Sequence, residues 1–189
     1  MTAPGGSSHA PQPPDRPTAT LAVTVLGHDR PGIIADVTAV LAELGLNLED
    51  STMTLLRGHF AMTLVCSGGR PAAEVESALA PITAGGLDVA VREMPEEHEL
   101  DTRAAASYLL TVHGADRPGI VSAVAREVAA VGGNITDLST RLSGDLYLLS
   151  AEVDLPQTAD PEALQDALSG TAERLGVRAT LRELESDEL

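Results

Sequence analysis

Gly27-His28-Asp29-Arg30-Pro31-Gly32-Ile33-Ile34 returns 87 residues later as Gly114-Ala115-Asp116-Arg117-Pro118-Gly119-Ile120-Val121. Laying the chain on itself at that offset extends the match well beyond the five identical residues Asp-Arg-Pro-Gly-Ile, which marks a duplicated structural unit. Before the motif, Leu21, Val23 and Val25 fall on Tyr108, Leu110 and Val112. Their alternation with smaller or more polar residues predicts a strand with one buried face. After the motif come Ile33, Ile34, Val37, Val40, Leu41 and Leu44 in one copy, and Ile120, Val121, Val124, Val128 and Val131 in the other. Both sets follow the stripe of an amphipathic helix. Each helix is predicted to end at glycine, Gly45 or Gly132-Gly133, as a left-handed C-terminal cap prefers.

The second half of each repeat follows the same plan. Strands are predicted at Thr52 to Leu56 and Phe60 to Cys66 around a hairpin turn Arg57-Gly58-His59, and at Ser139 to Leu142 and Leu146 to Val153 around Ser143-Gly144-Asp145. A second helix starts near Pro71, with Val75, Leu79 and Ile82 apolar, and Pro81 is expected to end or kink it. Its counterpart opens at Asp160-Pro161, a capping residue followed by proline in the first turn, and carries Leu164, Leu168, Ala172 and Leu175. The last strands share a spelling, Val91-Arg92-Glu93-Met94 and Leu181-Arg182-Glu183-Leu184.

Strand, helix, strand, strand, helix, strand, twice over, predicts an α+β chain of two tandem ferredoxin-like βαββαβ units. Each would be a four-stranded antiparallel sheet with two helices on one face. The expected boundaries are a Pro/Gly-rich disordered tail over 1–18, units over 19–95 and 106–185, an acidic linker over 96–105 and a short tail over 186–189. One sheet face of each unit has no helix to cover it. Burial against the sister unit, or edge-to-edge extension with another chain, would relieve this.

Composition narrows the function. Of the chain's 189 residues 43% are hydrophobic, enough for a packed core, but only 2% are aromatic, so that core is built from Val, Leu, Ile and Ala. The formal net charge is −16, and every basic side chain apart from histidine is Arg. A chain this acidic, without a basic cluster or Trp, lacks the footprint and the stacking platform of a nucleic-acid binder. Mechanisms that need a Schiff-base or P-loop lysine are excluded. Cys66 is the one cysteine and stands in an apolar alternating run, which reads as a buried thiol in a reducing compartment. The first 17 residues have neither a basic nor an apolar stretch of the signal-peptide kind, and no run approaches the ~18 apolar residues of a membrane span. A soluble, cytoplasmic protein is expected.

Asp-Arg-Pro-Gly-Ile sits where the first strand gives way to the first helix. Pro31 and Pro118 suit the first helical position, and Asp29 and Asp116 stand close enough to the N-cap to accept free amide N–H groups. Gly32 and Gly119 leave room for a ligand or another backbone to approach. The alternative is a capped helix start with a rigid entry and nothing more. Asn47 and Asn134 follow the motif Asp at a constant 18 residues, each opening the next strand. If those side chains face the motif, amide N–H groups can hold a ligand carboxylate and side-chain oxygens its ammonium. Otherwise they are turn residues after the helix. Arg30 and Arg117 are expected to face solvent or pair with nearby carboxylates, a contact to the ligand being the second choice.

These residues, with Gly45-Leu46-Asn47-Leu48-Glu49-Asp50 and Gly132-Gly133-Asn134-Ile135-Thr136-Asp137, resemble the ACT domain, an amino-acid-sensing regulatory module. The chain from about Thr18 to Glu185 is covered by two copies, an arrangement similar to the glycine cleavage system transcriptional repressor family. The resemblance implies binding of a small amino acid, with glycine a candidate, at sites often formed between two ACT units. It points to His28, Asp29, Gly32, Ile33 and Asn47, and to Asp116, Gly119, Ile120 and Asn134. It further implies no catalytic residue, metal or cofactor, no direct contact with nucleic acid or membrane, a protein partner such as a DNA-binding regulator, and a homodimer. His28 is matched by Ala115 and Leu46 by Gly133, so the two sites are expected to differ. A formyltetrahydrofolate deformylase also begins with a similar unit, which makes a remnant of such an enzyme one alternative. An interaction module that has lost its ligand is another. Catalysis finds little support: the five histidines form no evident site, and neither a nucleophile elbow nor a metal-spaced cluster is present.

Overall fold

The computed structural model describes residues 19–95 and 106–184, so both tails and the linker of the sequence reading lie outside the described residues. The chain divides into two compact units, 1–98 and 99–189. In the first, β1 (Ala19–His28), α1 (Ile33–Glu43), β2 (Asn47–Leu56), β3 (His59–Gly68), α2 (Ala72–Thr83) and β4 (Leu87–Met94) follow one another. The second repeats this with β5 (Ala106–Ala115), α3 (Ile120–Ala130), β6 (Asn134–Ser143), β7 (Leu146–Leu155), α4 (Pro161–Leu175) and β8 (Val177–Glu183). Both sheets are antiparallel, in the orders β2-β3-β1-β4 and β6-β7-β5-β8. This is the expected tandem α+β, ferredoxin-like architecture.

Alternation decides which face is covered. Leu21, Val23 and Val25 of β1 pack with Phe60, Met62, Leu64 and Cys66 of β3 and with Ile33, Val37, Leu41, Val75 and Leu79 of the two helices. Tyr108, Leu110 and Val112 do the same in the second unit with Leu149, Ala151, Val153, Val124 and Leu164. Each fully buried Val, Leu or Ile contributes about 1.5–3 kcal/mol relative to exposure, so these one-sided stripes fix both register and layering. The helix stripes are narrower than predicted. Ile34 and Val121, at equivalent second positions of α1 and α3, remain 47% and 38% exposed.

Three local expectations change. The first hairpin turn holds only Arg57 (φ 50°) and Gly58 (φ 84°), both left-handed as a two-residue type I′ turn requires, and His59 already belongs to β3. In the second hairpin Ser143 pairs with Leu146, leaving Gly144-Asp145 as the turn. The second helix does not stop at Pro81: α2 runs two residues further, to Thr83. In the last turn the proline forfeits one hydrogen bond and no more of the helix. By contrast, Asp160 caps α4 as expected, its Oδ1 accepting from the N–H groups of Glu162 (3.0 Å) and Ala163 (3.2 Å), with Pro161 as the first helical residue.

Candidate functional site

Each motif forms the passage from the central strand of its sheet into the first helix of its unit. β1 ends at His28, and the backbone N–H of Asp29 donates to the Gly58 carbonyl at 3.1 Å, tying the loop to the β2–β3 turn. The cap of α1 is Gly32 itself, with φ 92° and ψ −6°, and the cap of α3 is Gly119, with φ 93° and ψ −2°. This is left-handed backbone, which a Cβ disfavours, so the glycine of the motif is demanded by conformation.

Two expectations about the motif are thereby corrected. Pro31 and Pro118 lie outside the helices, immediately before the glycine caps, rather than at the first helical position. Asp29 and Asp116 are exposed and cap nothing: neither helix has a side-chain cap. The first bonds of the ladders run from Asp36 N–H to the Gly32 carbonyl and from Ala123 N–H to the Gly119 carbonyl, each 2.9 Å. The earlier N–H groups of both helices therefore have no side chain of their own to satisfy them, which leaves a donor set and a helix dipole suited to a carboxylate. Ile33 and Ile120 are buried, anchoring these turns in the two cores.

The asparagines are the larger correction. Asn47 pairs with Ser67, and Ser67 with Thr20, whereas the motif leaves β1 after His28. Eight residues of strand separate the two positions, about 27 Å at ~3.4 Å per residue. Asn134 opposite Asp154, itself opposite Ser107, stands equally far from Ala115. A helix that returns the chain to the start of the sheet must deliver the next strand at the end opposite the motif. Within one unit, then, the structure brings His28, Asp29, Gly32 and Ile33 together, and Asp116, Gly119 and Ile120, but neither asparagine.

The motif arginines reach across to the end of the second helix. A Cβ placed on Gly85 would lie 3.7 Å from Arg30 Nε, and one on Gly176, the left-handed cap of α4, 3.5 Å from Arg117 Nη2. A guanidinium there complements the negative end of the helix dipole. Arg30 also pairs with Asp36, Nη1 to Oδ2 at 3.0 Å. His28 lies across from His59 with ring centroids 4.8 Å apart. Among the described residues no group of three or more His, Cys, Asp or Glu is arranged to hold a metal. Cys66 is buried, and its thiol is pushed up from its ordinary value of 9.0 by burial and then by Glu49.

The sequence reading missed one hollow, of about 400 Å³, lined by Tyr108, Pro161, Glu162, Gln165, Asp166 and Leu181. It belongs to the end of the sheet where β5 begins, away from the motif, and no periodicity joins residues from three elements. It also missed that every residue of β2 is exposed, Leu48, Met53, Leu55 and Leu56 included.

The fold, its duplication and the glycine-capped helix starts can now be set beside known proteins. A family model described as the ACT domain matches residues 19–103 and again 107–182. The chain belongs to the ACT-domain family. Both ACT units carry the motif at the same place in the fold. The glycine cleavage system transcriptional repressor of Escherichia coli is 27% identical over 147 residues, 78% of this chain and 77% of the relative. A Methanopyrus kandleri protein is 38% identical over 79 residues, 42% of this chain and 78% of its own, matching one ACT unit's length. The crystal structure of a Galdieria sulphuraria protein superposes with a TM-score of 0.75 at 30% identity, over 89% of this chain and 99% of that one. The likeness thus extends over both ACT units of this chain.

Proposed function

We propose that this tandem ACT protein is a non-catalytic regulator that binds a small amino acid at its glycine-capped helix starts and passes the signal to a protein partner. The observation that carries the reading is the pair of left-handed glycine caps, Gly32 and Gly119, each opening a helix that no side chain caps. Backbone N–H groups there suit the ligand carboxylate, and Asp29 and Asp116, exposed and three residues earlier, suit its ammonium. Likeness to the glycine cleavage system transcriptional repressor makes glycine the first candidate, and a cytoplasmic DNA-binding regulator a fitting partner. The net charge of −16 favours action on DNA through such a partner rather than by contact.

Asn47 and Asn134 enter this reading from outside. Since each stands about 27 Å from the motif of its own unit at ~3.4 Å per residue, a second copy of the chain is the proposed source of the asparagine, consistent with a homodimer. Ligand would then favour the paired arrangement by its differential affinity for it, which is allostery in the thermodynamic sense. Calorimetric titration of the full chain against the twenty amino acids tests the proposal. Binding of a small amino acid, lost in the double variant Asp29→Ala/Asp116→Ala, is expected; silence across the panel at millimolar concentration overturns it.

One observation favours a second reading. The exposed apolar residues of the edge strand β2 fit a pure interaction module, with Leu138 and Leu142 of β6 equally open. Under that reading the chain captures its partner with no amino acid present, and no ligand raises its melting temperature.

A further inference from the structure

Each sheet has a second edge strand, β4 in the first unit and β8 in the second, and the two edges are finished differently. In an antiparallel ladder the backbone groups of successive residues point to opposite sides of the strand. Leu184, one residue past β8, donates its N–H inward to the Ser107 carbonyl at 2.8 Å, so the odd-numbered residues of β8 point outward. Gln165 of α4 occupies that outer edge. Its side-chain amide donates to the Ala179 carbonyl at 3.3 Å and accepts from Leu181 N–H at 2.6 Å, as a neighbouring strand would. The α2 residue in the same helical place is Glu76, since Val75 and Leu79 fill the core positions of Leu164 and Leu168. An ionised carboxylate has no donor for a carbonyl. Among the described residues no side chain bonds the outer edge of β4. Val91 stands opposite Val23 as Leu181 stands opposite Leu110, so Val89 and Val91 are the outward residues of β4.

β4 is also complementary to itself. Turned antiparallel about a two-fold axis at Ala90, it sets Val89 opposite Val91 of the copy, outward groups meeting outward groups as ladder bonds require. The same operation sets Asp88 opposite Arg92 of the copy, and Ala90 opposite its own equivalent. These three residues are exposed and lie on the sheet face away from the helices. β8 fails the same operation: about Thr180 it sets Arg178 opposite Arg182, like charges across a close pair.

We propose that β4 is the edge at which two copies of this chain pair, antiparallel about Ala90, joining the sheets of their first units into one, while Gln165, Arg178 and Arg182 close the equivalent edge of the second unit. The inference goes beyond the amino-acid-binding reading and does not depend on what the motif holds. β4 and β2 lie at opposite edges of one sheet, so this contact leaves Asn47 open to a different one. Backbone hydrogen bonds and the apolar pairs of Val89 with Val91 hold such an edge together. The Asp88–Arg92 pairs are exposed, so they choose the register more than they strengthen it.

Disulfide trapping and sedimentation of the full chain, both at about 0.15 M sodium chloride, test the proposal together. A residue on the axis faces its own copy at about 4.5 Å between Cα atoms, within reach of a disulfide. Ala90→Cys is therefore expected to give a covalent dimer under mild oxidation. Thr180→Cys, at the equivalent place in β8, should give no more than the parent chain, whose Cys66 is buried. Asp88→Arg and Arg92→Asp should each weaken the dimer about tenfold, since either one replaces opposite charges by like charges on both sides of the axis. The first variant lowers the net negative charge and the second raises it, so a loss in both does not come from net charge. The double exchange Asp88→Arg/Arg92→Asp should recover the parent constant. A parent chain that stays monomeric, an Ala90→Cys chain that is not trapped, equal trapping through Thr180→Cys, or a double exchange as weak as the single ones would overturn the inference. Trapping at Ala90 in a chain silent toward all twenty amino acids would sink the sensor reading while leaving this contact standing.

Discussion

At the scale of single residues, the two units solve one packing problem in opposite ways. Leu46 follows α1 and is buried, and a Cβ on Gly68 of β3 would lie 2.5 Å from its Cδ2. In the second unit the equivalent pair is Gly133 and Leu155. A Cβ on Gly133 would meet Leu155 Cδ2 at 2.8 Å and Val128 Cγ1 at 2.9 Å. Large and small have changed places across the same contact, so the difference between Leu46 and Gly133, which the sequence suggests as a difference between ligand sites, is an exchange within the core. Leu46→Gly alone should cost about 3–5 kcal/mol through the cavity it leaves. Gly68→Leu alone should cost about 1–3 kcal/mol through overpacking. The double variant should recover most of both, a coupling that urea unfolding of the four chains measures directly. Additive losses would show that the contact does not govern packing. The compensation was invisible in the sequence because Leu46 and Gly68 meet only through the β2–β3 register.

At the scale of elements, two aspartates with similar spellings part company. Asp160 directly precedes Pro161 and caps α4 with two accepted hydrogen bonds, whereas Asp29 is separated from α1 by Arg30, Pro31 and the cap Gly32. Asp160→Ala should therefore lower stability by about 1 kcal/mol, as loss of a cap does. Asp29→Ala should stay within about 0.5 kcal/mol of the parent, as surface changes away from such features do. Thermal melts of both variants check the contrast. A comparable loss at Asp29 would mean that its carboxylate supports the helix start after all. The strands, helices and their order were legible because each depends on local periodicity, and so was the Asp160 cap. The glycine cap was not, since a left-handed residue before a helix competes with the commoner arrangement of Pro at the first helical position. Nor was the place of Asn47. A constant spacing of 18 residues says how far the chain travels but not that α1 carries it back to the beginning of the sheet. The motif turn was thus readable as far as a single turn of backbone reaches, and the end of the sheet at which Asn47 stands was not.

For the molecule as a whole, the governing quantities are burial and charge. Each unit buries one weak acid: Cys66 in the first, and Tyr108 in the second, pushed up from 10.0 by burial and then by the Glu183 carboxylate. Both acids keep their protons longer when folded, so above about pH 9 the unfolded chain binds fewer protons and stability falls as pH rises. The decline should begin with the first unit, whose thiol ionises earlier in the unfolded state. Cys66→Ser, stripped of that proton, should flatten the urea midpoint of this transition between pH 8 and 9.5, while an unchanged slope would refute the linkage. Charge bears on assembly. A homodimer joins two chains of formal charge −16, and long-range repulsion opposes their approach. Against it stand β2 and β6, edge strands with exposed Leu48, Met53, Leu55, Leu138 and Leu142 but few charges of opposite sign to offer a copy of themselves. Apolar attraction at such an edge is insensitive to salt, whereas the repulsion is screened once the Debye length falls to ~10 Å near 0.1 M. The dimer constant measured by sedimentation should therefore tighten as sodium chloride rises from about 0.02 to 0.2 M, an interval over which that length shrinks roughly threefold. Weakening with salt would mean that ion pairs hold the copies together, which these strands do not supply. A chain that stays monomeric at both ends of that range would remove the homodimer, and with it the second copy as the source of Asn47 and Asn134.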